Sequence, residues 1–316
     1  MARRLLVLGW HNIDPTPAFP GAPGAGRRGF DHQLRLLSRV ANVITLSEAA
    51  RRIQAGEPLP PRAVVLTFDD GYADMVDAAA PILARHRMPA TFFLVPGFLD
   101  GRLGAWWEDF AHAVDTAGDE VLEWDGARYD LRLPGERERA KAELPLRLKQ
   151  LDARAREEAV AGIAERISPD PTPRTSLFLG WPGAKALLEA GHEVGSHTVT
   201  HPILRRETAA VQADELATSR SALEAGLGTT VDTLAYPNGT SDDFDETTVR
   251  CVREVGYRAA VTVERGFADR RASPYEMSRV LLTPHDDLGK FARKALHRAR
   301  SEVAARVPAL KGPLRV

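Results

Sequence analysis

The sequence predicts an α/β protein folded as a closed or nearly closed β/α barrel. Three observations carry that expectation. Apolar runs of strand length alternate with longer segments of helical spacing along most of the chain. About seven or eight strand candidates can be counted, most of them separated by helices. Finally, Asp69-Asp70, His197, Pro237-Asn238-Gly239 and His285 each fall just after a strand candidate, and barrel enzymes assemble their active sites at that end of the strands. Together these favour a barrel over a flat, doubly wound sheet.

Taking the elements in order, Arg4 to Gly9 reads as a first buried strand, followed by an irregular Pro- and Gly-rich loop from Asp14 to Gly29 long enough to form a rim or lid. Phe30 to Val40 has helical spacing through Phe30, Leu34, Leu37 and Val40. Asn42 to Leu46 predicts a short strand and Ser47 to Gln54 a helix whose Ser47-x-x-Ala50 start lacks a full capping box. Ala63 to Phe68 is an apolar run ending at two carboxylates and a glycine, Met75 to Arg87 a helix, and Ala90 to Val95 another buried strand. The rhythm then breaks over residues 100 to 180, which predicts an insertion with structure of its own. It holds Trp106-Trp107, a hairpin around Asp125-Gly126 and charged helical stretches from Glu136 to Arg166. The tryptophan pair is expected chiefly to anchor the insertion, with sugar stacking as the second reading. The βα rhythm resumes with a helix from Pro182 to Ala190, capped by Gly191, and a strand leading to His197. Further strands are expected at Val231 to Tyr236, Tyr257 to Val263 and Ser278 to Leu282, and helices at Thr208 to Leu227 and Asp245 to Glu254.

The composition sets wide bounds. The chain has 316 residues, 44% of them hydrophobic, enough for a sizeable core. A formal net charge of -1 gives no argument for a nucleic-acid partner. The single cysteine, Cys251, excludes an intrachain disulfide framework. The apolar run Leu5 to Leu8 is too short for a secretion signal core, and a cytoplasmic location is the simplest expectation.

The chemistry concentrates in two places. In Thr67-Phe68-Asp69-Asp70-Gly71, adjacent carboxylates would diverge on a continuing strand, but a turn opened by Gly71 can aim both into one pocket. In Ser196-His197-Thr198-Val199-Thr200-His201-Pro202 two imidazoles stand four residues apart. Pro202 biases His201 away from helix, so a bent loop is expected there. One Asp with two His makes an open catalytic site suited to zinc. His11 also ends a strand on the same face but reads as a structural histidine, and His86 and His192 as structural or solvent-facing.

These two motifs, in this order, resemble those of the polysaccharide deacetylase family, over about residues 62 to 97 and 180 to 285. That resemblance implies a distorted (β/α)7 barrel, here spanning 1–287 with the insertion, and a metal-dependent N-deacetylase. It implies a divalent metal, Zn2+ by preference, on Asp70, His197 and His201, with Asp69 as general base. Where the family's third motif offers an arginine, this chain has Ala235 in Leu234-Ala235-Tyr236-Pro237-Asn238-Gly239. Arg279, on a late strand, is expected to supply the missing guanidinium. The family's last motif ends in a catalytic histidine, and His285 in Thr283-Pro284-His285-Asp286-Asp287 is the candidate for the general acid. Tyr72, Tyr236, Pro237 and Asn238 are expected to bind substrate, with a backbone N–H near Asn238 facing the developing oxyanion. The substrate implied is an N-acetylated sugar or glycan precursor.

Two rival readings follow from the same residues: hydrolysis of another C–N bond in a cyclic amide, and a sugar-binding barrel that lost turnover. The tail, 288–316, sets Phe291, Leu296 and Val303 among Lys290, Arg293, Lys294, Arg298 and Arg300. A basic amphipathic helix of this kind either packs on the barrel or lies on an anionic membrane, where a lipid-linked sugar would be within reach.

Overall fold

The computed structural model describes residues 5–118, 120–268 and 273–295. In chain order the first half holds β1 (Leu6–Trp10), α1 (Gly26–Val40), β2 (Asn42–Val43), α2 (Leu46–Gln54), β3 (Ala63–Phe68), a π-helical turn (Met75–Ala79) running into α3 (Ala80–His86), and β4 (Thr91–Leu94). After α4 (Pro96–Leu99) come α5 (Trp106–Thr116), a hairpin of β5 (Val121–Trp124) and β6 (Ala127–Asp130), α6 (Pro134–Leu148) and α7 (Ala153–Ile167). The chain then continues through α8 (Gly180–Glu189), β7 (Glu193–Ser196), α9 (Ala209–Leu227), β8 (Thr233–Ala235), α10 (Glu246–Val255), β9 (Ala259–Val261) and β10 (Val280–Leu281).

The strands pair in parallel in the order β10-β1-β3-β4-β7-β8-β9, and Met277 bridges back to Val261. Met277 N donates to Ala260 O and Thr262 N to Met277 O, both at 2.9 Å, so the seven-strand ring closes. The expected strand at Asn42 to Leu46 shrinks to β2, which pairs only with β3 outside the ring. The reason is Thr45: its hydroxyl accepts from Glu48 N and caps α2 two residues early, in a Thr45-x-x-Glu48 frame in place of the one expected from Ser47. That helix is not an ordinary crossover. Leu46 N, Ser47 and Gln54 bond to Thr91, Glu193 and Arg258 at the beginnings of three strands, so α2 plugs the N-terminal mouth of the barrel.

Strand parity sorts the core. Val7, Val65, Phe93, Ala235 and Val261 face inward with the residues of α2, whereas Leu8, Leu66, Phe92, Leu234 and Tyr236 face the surrounding helices. Between β4 and β7 the insertion carries a third core, where Phe110, Val114, Tyr129, Leu144 and Ile163 are almost fully buried. It therefore does not rely on the barrel to bury its apolar faces. After β10, residues 288–295 are helical and bury Phe291 and Ala295 against the barrel. The apolar face of this part of the tail is thus taken up by the fold; residues 296–316 lie outside the described residues. No helix among the described residues is long and apolar enough to cross a membrane.

Candidate functional site

The site grows from the break at the end of β3. Asp70 has φ 75° and Gly71 φ 86°, both in the left-handed region, so the chain reverses and the two carboxylates separate in direction. Such strain at a non-glycine residue persists only where surrounding structure fixes it. The Asp69 carboxylate points along the barrel interior, where Arg279 grips it with Nη1–Oδ1 and Nη2–Oδ2 contacts of 2.7 Å each. The Arg279 Nε donates to Thr262 O at 2.9 Å, and its guanidinium lies over the Phe93 ring. Both partners are buried. Burial pushes the Asp69 carboxyl up, but the charge of Arg279, foremost among the opposing causes, and its hydrogen bonds hold the group below its ordinary value.

Asp70 turns the other way, toward the imidazoles. Its Oδ1 lies 3.4 Å from His197 Nε2 and 3.5 Å from His201 Nε2. His197 Nδ1 sits 2.7 Å from Ala235 O, which makes Nδ1 the protonated nitrogen and leaves the Nε2 lone pair facing Asp70. The residue in the place of the family arginine therefore acts through its carbonyl. The segment between the two histidines is a bent loop, with Thr198 at φ 64° and His201 at φ 58°. Glu215 on α9 fixes it: Val199 N and Thr200 N donate to Oε2 at 2.7 and 3.0 Å, and Thr200 Oγ1 to Oε1 at 2.7 Å. At Gly195 on β7 a Cβ would meet the Phe93 ring at 2.5 Å, so only glycine lets the strand bring His197 this close to the barrel axis.

These three side chains fit a metal. One ligand atom from each of Asp70, His197 and His201 lies within 4.8 Å of the others, all buried. Both Asp70 carboxylate oxygens lack a hydrogen-bond partner, a cost the fold accepts only where something else satisfies them. Burial and the neighbouring His197 hold His201 well below the ordinary imidazole range, so it stays neutral with a lone pair to give. Two nitrogens and one carboxylate leave coordination positions open.

The site opens into a cavity of about 390 Å³. Asp70, His201, His11 and Asn238 form its barrel side, and Pro17 to Pro20 of the long loop form one rim. The opposite wall belongs to the insertion, through Trp106, Trp107 and Phe110 of α5 and Lys141, Pro145 and Lys149 at α6. Glu108 ties rim, insertion and barrel together: it accepts from Thr16 Oγ1 at 2.6 Å, Ala18 N at 3.1 Å and Tyr72 OH at 2.8 Å. The two tryptophans divide the expected roles. Trp106 enters the insertion core, while Trp107 packs on His201 at 4.6 Å between ring centroids and donates to Tyr72 OH.

Four expectations for individual residues need correction. His285 is exposed and does not line the cavity. The turn holding it closes on Asp286, whose buried carboxylate accepts from Thr283 N at 2.8 Å and Lys294 Nζ at 2.6 Å, and this puts residue 285 at the outer tip. Tyr236 faces the helices, stacked on Phe244 with its hydroxyl donating to Tyr275 O, because its strand neighbour Ala235 takes the inward position. Tyr72 stands behind the cavity wall, bonded to Glu108 and Trp107. Pro237 is buried beside the cavity without lining it. Asn238 (φ 58°) does line it, with a buried, unpartnered Nδ2. His11, set aside as structural, lines the cavity and stacks on Phe19 at 5.2 Å. Its place directly after β1 was the available signal, shared with Asp69 after β3.

A closed parallel barrel thus carries, at its strand ends, a buried Asp-His-His cluster able to hold a divalent ion and, beside it, an aspartate clamped by an arginine. The polysaccharide deacetylase family profile matches residues 56–126 and 138–260, more than half of the chain, and the chain belongs to that family. A poly-beta-1,6-N-acetyl-D-glucosamine N-deacetylase of Escherichia coli K12 is 27% identical over 119 residues, 37% of this chain and only 16% of the relative's length. Among solved structures, the Streptococcus pyogenes deacetylase PplD in complex with acetate superposes with a TM-score of 0.63 at 17% identity, covering 93% of this chain and 99% of that one. IcaB from Ammonifex degensii gives 0.59 at 22% identity, covering 93% and 98%. These structures share the fold.

Proposed function

We propose that the protein is a metal-dependent N-deacetylase of an N-acetylated sugar or glycan. The observation that carries this reading is the division of labour between adjacent carboxylates: Asp70 joins the imidazoles, and Asp69 is held ionised by Arg279 at 2.7 Å and stays out of the ligand set. A binding barrel has no need of the second arrangement. The missing third-motif arginine was the best argument for a barrel without turnover, and a bidentate Arg279 answers it.

Asp70, His197 and His201 would hold a divalent metal, by preference zinc, which would supply Lewis-acid polarisation of the acetyl carbonyl and a more acidic water. Asp69 takes the water's proton as the new C–O bond forms. Its charge is present for this at neutral pH, because the guanidinium keeps the carboxyl below its ordinary value. His11 delivers a proton to the departing amine from the barrel side of the cavity. Asn238, with its unpartnered Nδ2, faces the carbonyl oxygen as it gains charge. Trp107 and the rim loop hold the sugar and exclude water from the reacting bond.

The test is acetate release from N-acetylated monosaccharides and oligomers by the metal-loaded protein, alongside ring opening of small cyclic amides. Acetate from the sugars alone supports the reading. Turnover of cyclic amides without acetate from any sugar replaces it with the other C–N hydrolysis.

A further inference from the structure

The cavity holds three cationic or ionisable groups on its insertion side, and they are not equivalent. Lys141 is neutralised: its Nζ lies 2.7 Å from Asp115 Oδ1 and 2.8 Å from Glu138 Oε1. Glu138, which also lines the cavity, is the other half of that pair. Lys149, at the C-terminal end of α6, is different. It lines the same cavity as Asp70 and His201 and is only half exposed, yet among the described residues no carboxylate lies within ion-pair distance of its ammonium and nothing accepts from its Nζ. The carboxylate that acts on it most is Asp243, whose Oδ2 already accepts from Thr240 N at 2.9 Å and Thr240 Oγ1.

Its surroundings sharpen the point. Burial lowers the Lys149 pKa; Asp243 opposes that and the buried Arg156 adds to it. A partly desolvated ammonium without a counter-ion is costly, and an anion supplied by the ligand offsets that cost. The apolar remainder of the wall, Trp106, Trp107, Phe110 and Pro145, can pack against a sugar ring but supplies no charge to meet an anionic substituent.

We infer that Lys149 is a specificity-determining residue that recognises an anionic substituent, a carboxylate or a phosphate, on the amino sugar whose acetamido group enters the site. This rests on the deacetylase reading for the identity of the sugar but not for the anion preference. The lysine comes from the insertion, so the preference would be set by the segment that distinguishes this chain's cavity from a bare barrel.

The experiment is equilibrium binding by calorimetry to the full, metal-free chain, which separates recognition from turnover. The probes are N-acetylglucosamine, N-acetylmuramic acid, which adds a carboxylate, and N-acetylglucosamine 1-phosphate. At least one acidic sugar is expected to bind on the order of ten- to a hundredfold tighter than the neutral one, the range of a charge-assisted hydrogen bond; which one does so distinguishes carboxylate from phosphate. Lys149→Gln should bring the ratio to about one and Lys149→Arg should keep most of it, with circular dichroism confirming that both variants fold. No binding of any sugar, equal affinities in the unaltered chain, or a ratio that survives Lys149→Gln would overturn the inference. An anion preference that follows Lys149 in a protein that releases no acetate when metal-loaded would keep the inference and remove the deacetylase reading.

Discussion

Replacing Arg279 with Met tests the arrangement of the site at its most connected point. The side chain is fully buried and makes two 2.7 Å bonds to Asp69, one to Thr262 O at 2.9 Å and a longer one to Thr67 Oγ1 at 3.3 Å. Removing it strands the Asp69 carboxylate in the barrel interior with burial no longer opposed by its main counter-charge. Breaking one side of such a buried pair costs about 3–5 kcal/mol. The sign of the pH effect follows. Asp69 is depressed in the folded chain, so its contribution to stability is full above its unfolded value and is lost as pH falls through the lower folded value. Without Arg279 that contribution changes sign: burial raises the carboxyl above its unfolded value, and the folded variant gains relative stability as acid neutralises it. Urea unfolding at neutral and mildly acidic pH measures this, and the acid limb of kcat/KM should move upward in the variant. The double variant Asp69→Asn, Arg279→Met should be more stable than Arg279→Met alone, because no orphaned charge remains. An Arg279→Met protein with unchanged turnover and an unchanged acid limb would refute the claim that Arg279 holds the base.

Three further outcomes follow from the geometry. His11→Ala should lower acetate release by on the order of 10²- to 10⁴-fold, the usual contribution of a general acid, whereas His285→Ala, at an exposed turn tip, should leave it unchanged; equal losses would restore His285 to the reaction. Glu215→Gln should loosen the loop between the histidines and reduce metal affinity by about 10- to 100-fold, as loss of a supporting partner does, and metal titration would show it. Leu144→Ala, in the insertion core, should cost about 2–5 kcal/mol, and if that core is self-contained, its unfolding should appear as a transition below that of the barrel.

What the sequence made legible was local chemistry and rhythm. Asp69-Asp70-Gly71 and the two histidines lie within short stretches, and the turn at Gly71 and the bend before Pro202 follow from residue type alone. The pairing of Asp69 with Arg279 joins residues 210 apart, yet it was reachable because Asp69 was placed at the end of one strand and Arg279 on another strand of the same barrel. The choice between His11 and His285 was not reachable in that way. Both follow strands, and what separates them is the side chain of Asp286 closing its turn inward. Tyr236 was misplaced for a subtler reason: a residue next to a catalytic turn looks like part of the site, but strand parity had already given the inward position to Ala235. The role of α2 as a plug and the arrival of Lys149 in the same cavity as His201 depend on how whole elements pack, which no local pattern encodes.

The most direct test of the account is paired: metal content by elemental analysis and acetate release from N-acetylglucosamine oligomers, for the unaltered chain, Asp70→Asn and Asp69→Asn. The account predicts about one metal per chain and acetate from the unaltered protein, loss of both in Asp70→Asn, and retention of metal without acetate release in Asp69→Asn. Acetate release that persists in Asp69→Asn, or metal that persists in Asp70→Asn at full occupancy, would contradict the separation of roles on which the proposed function rests.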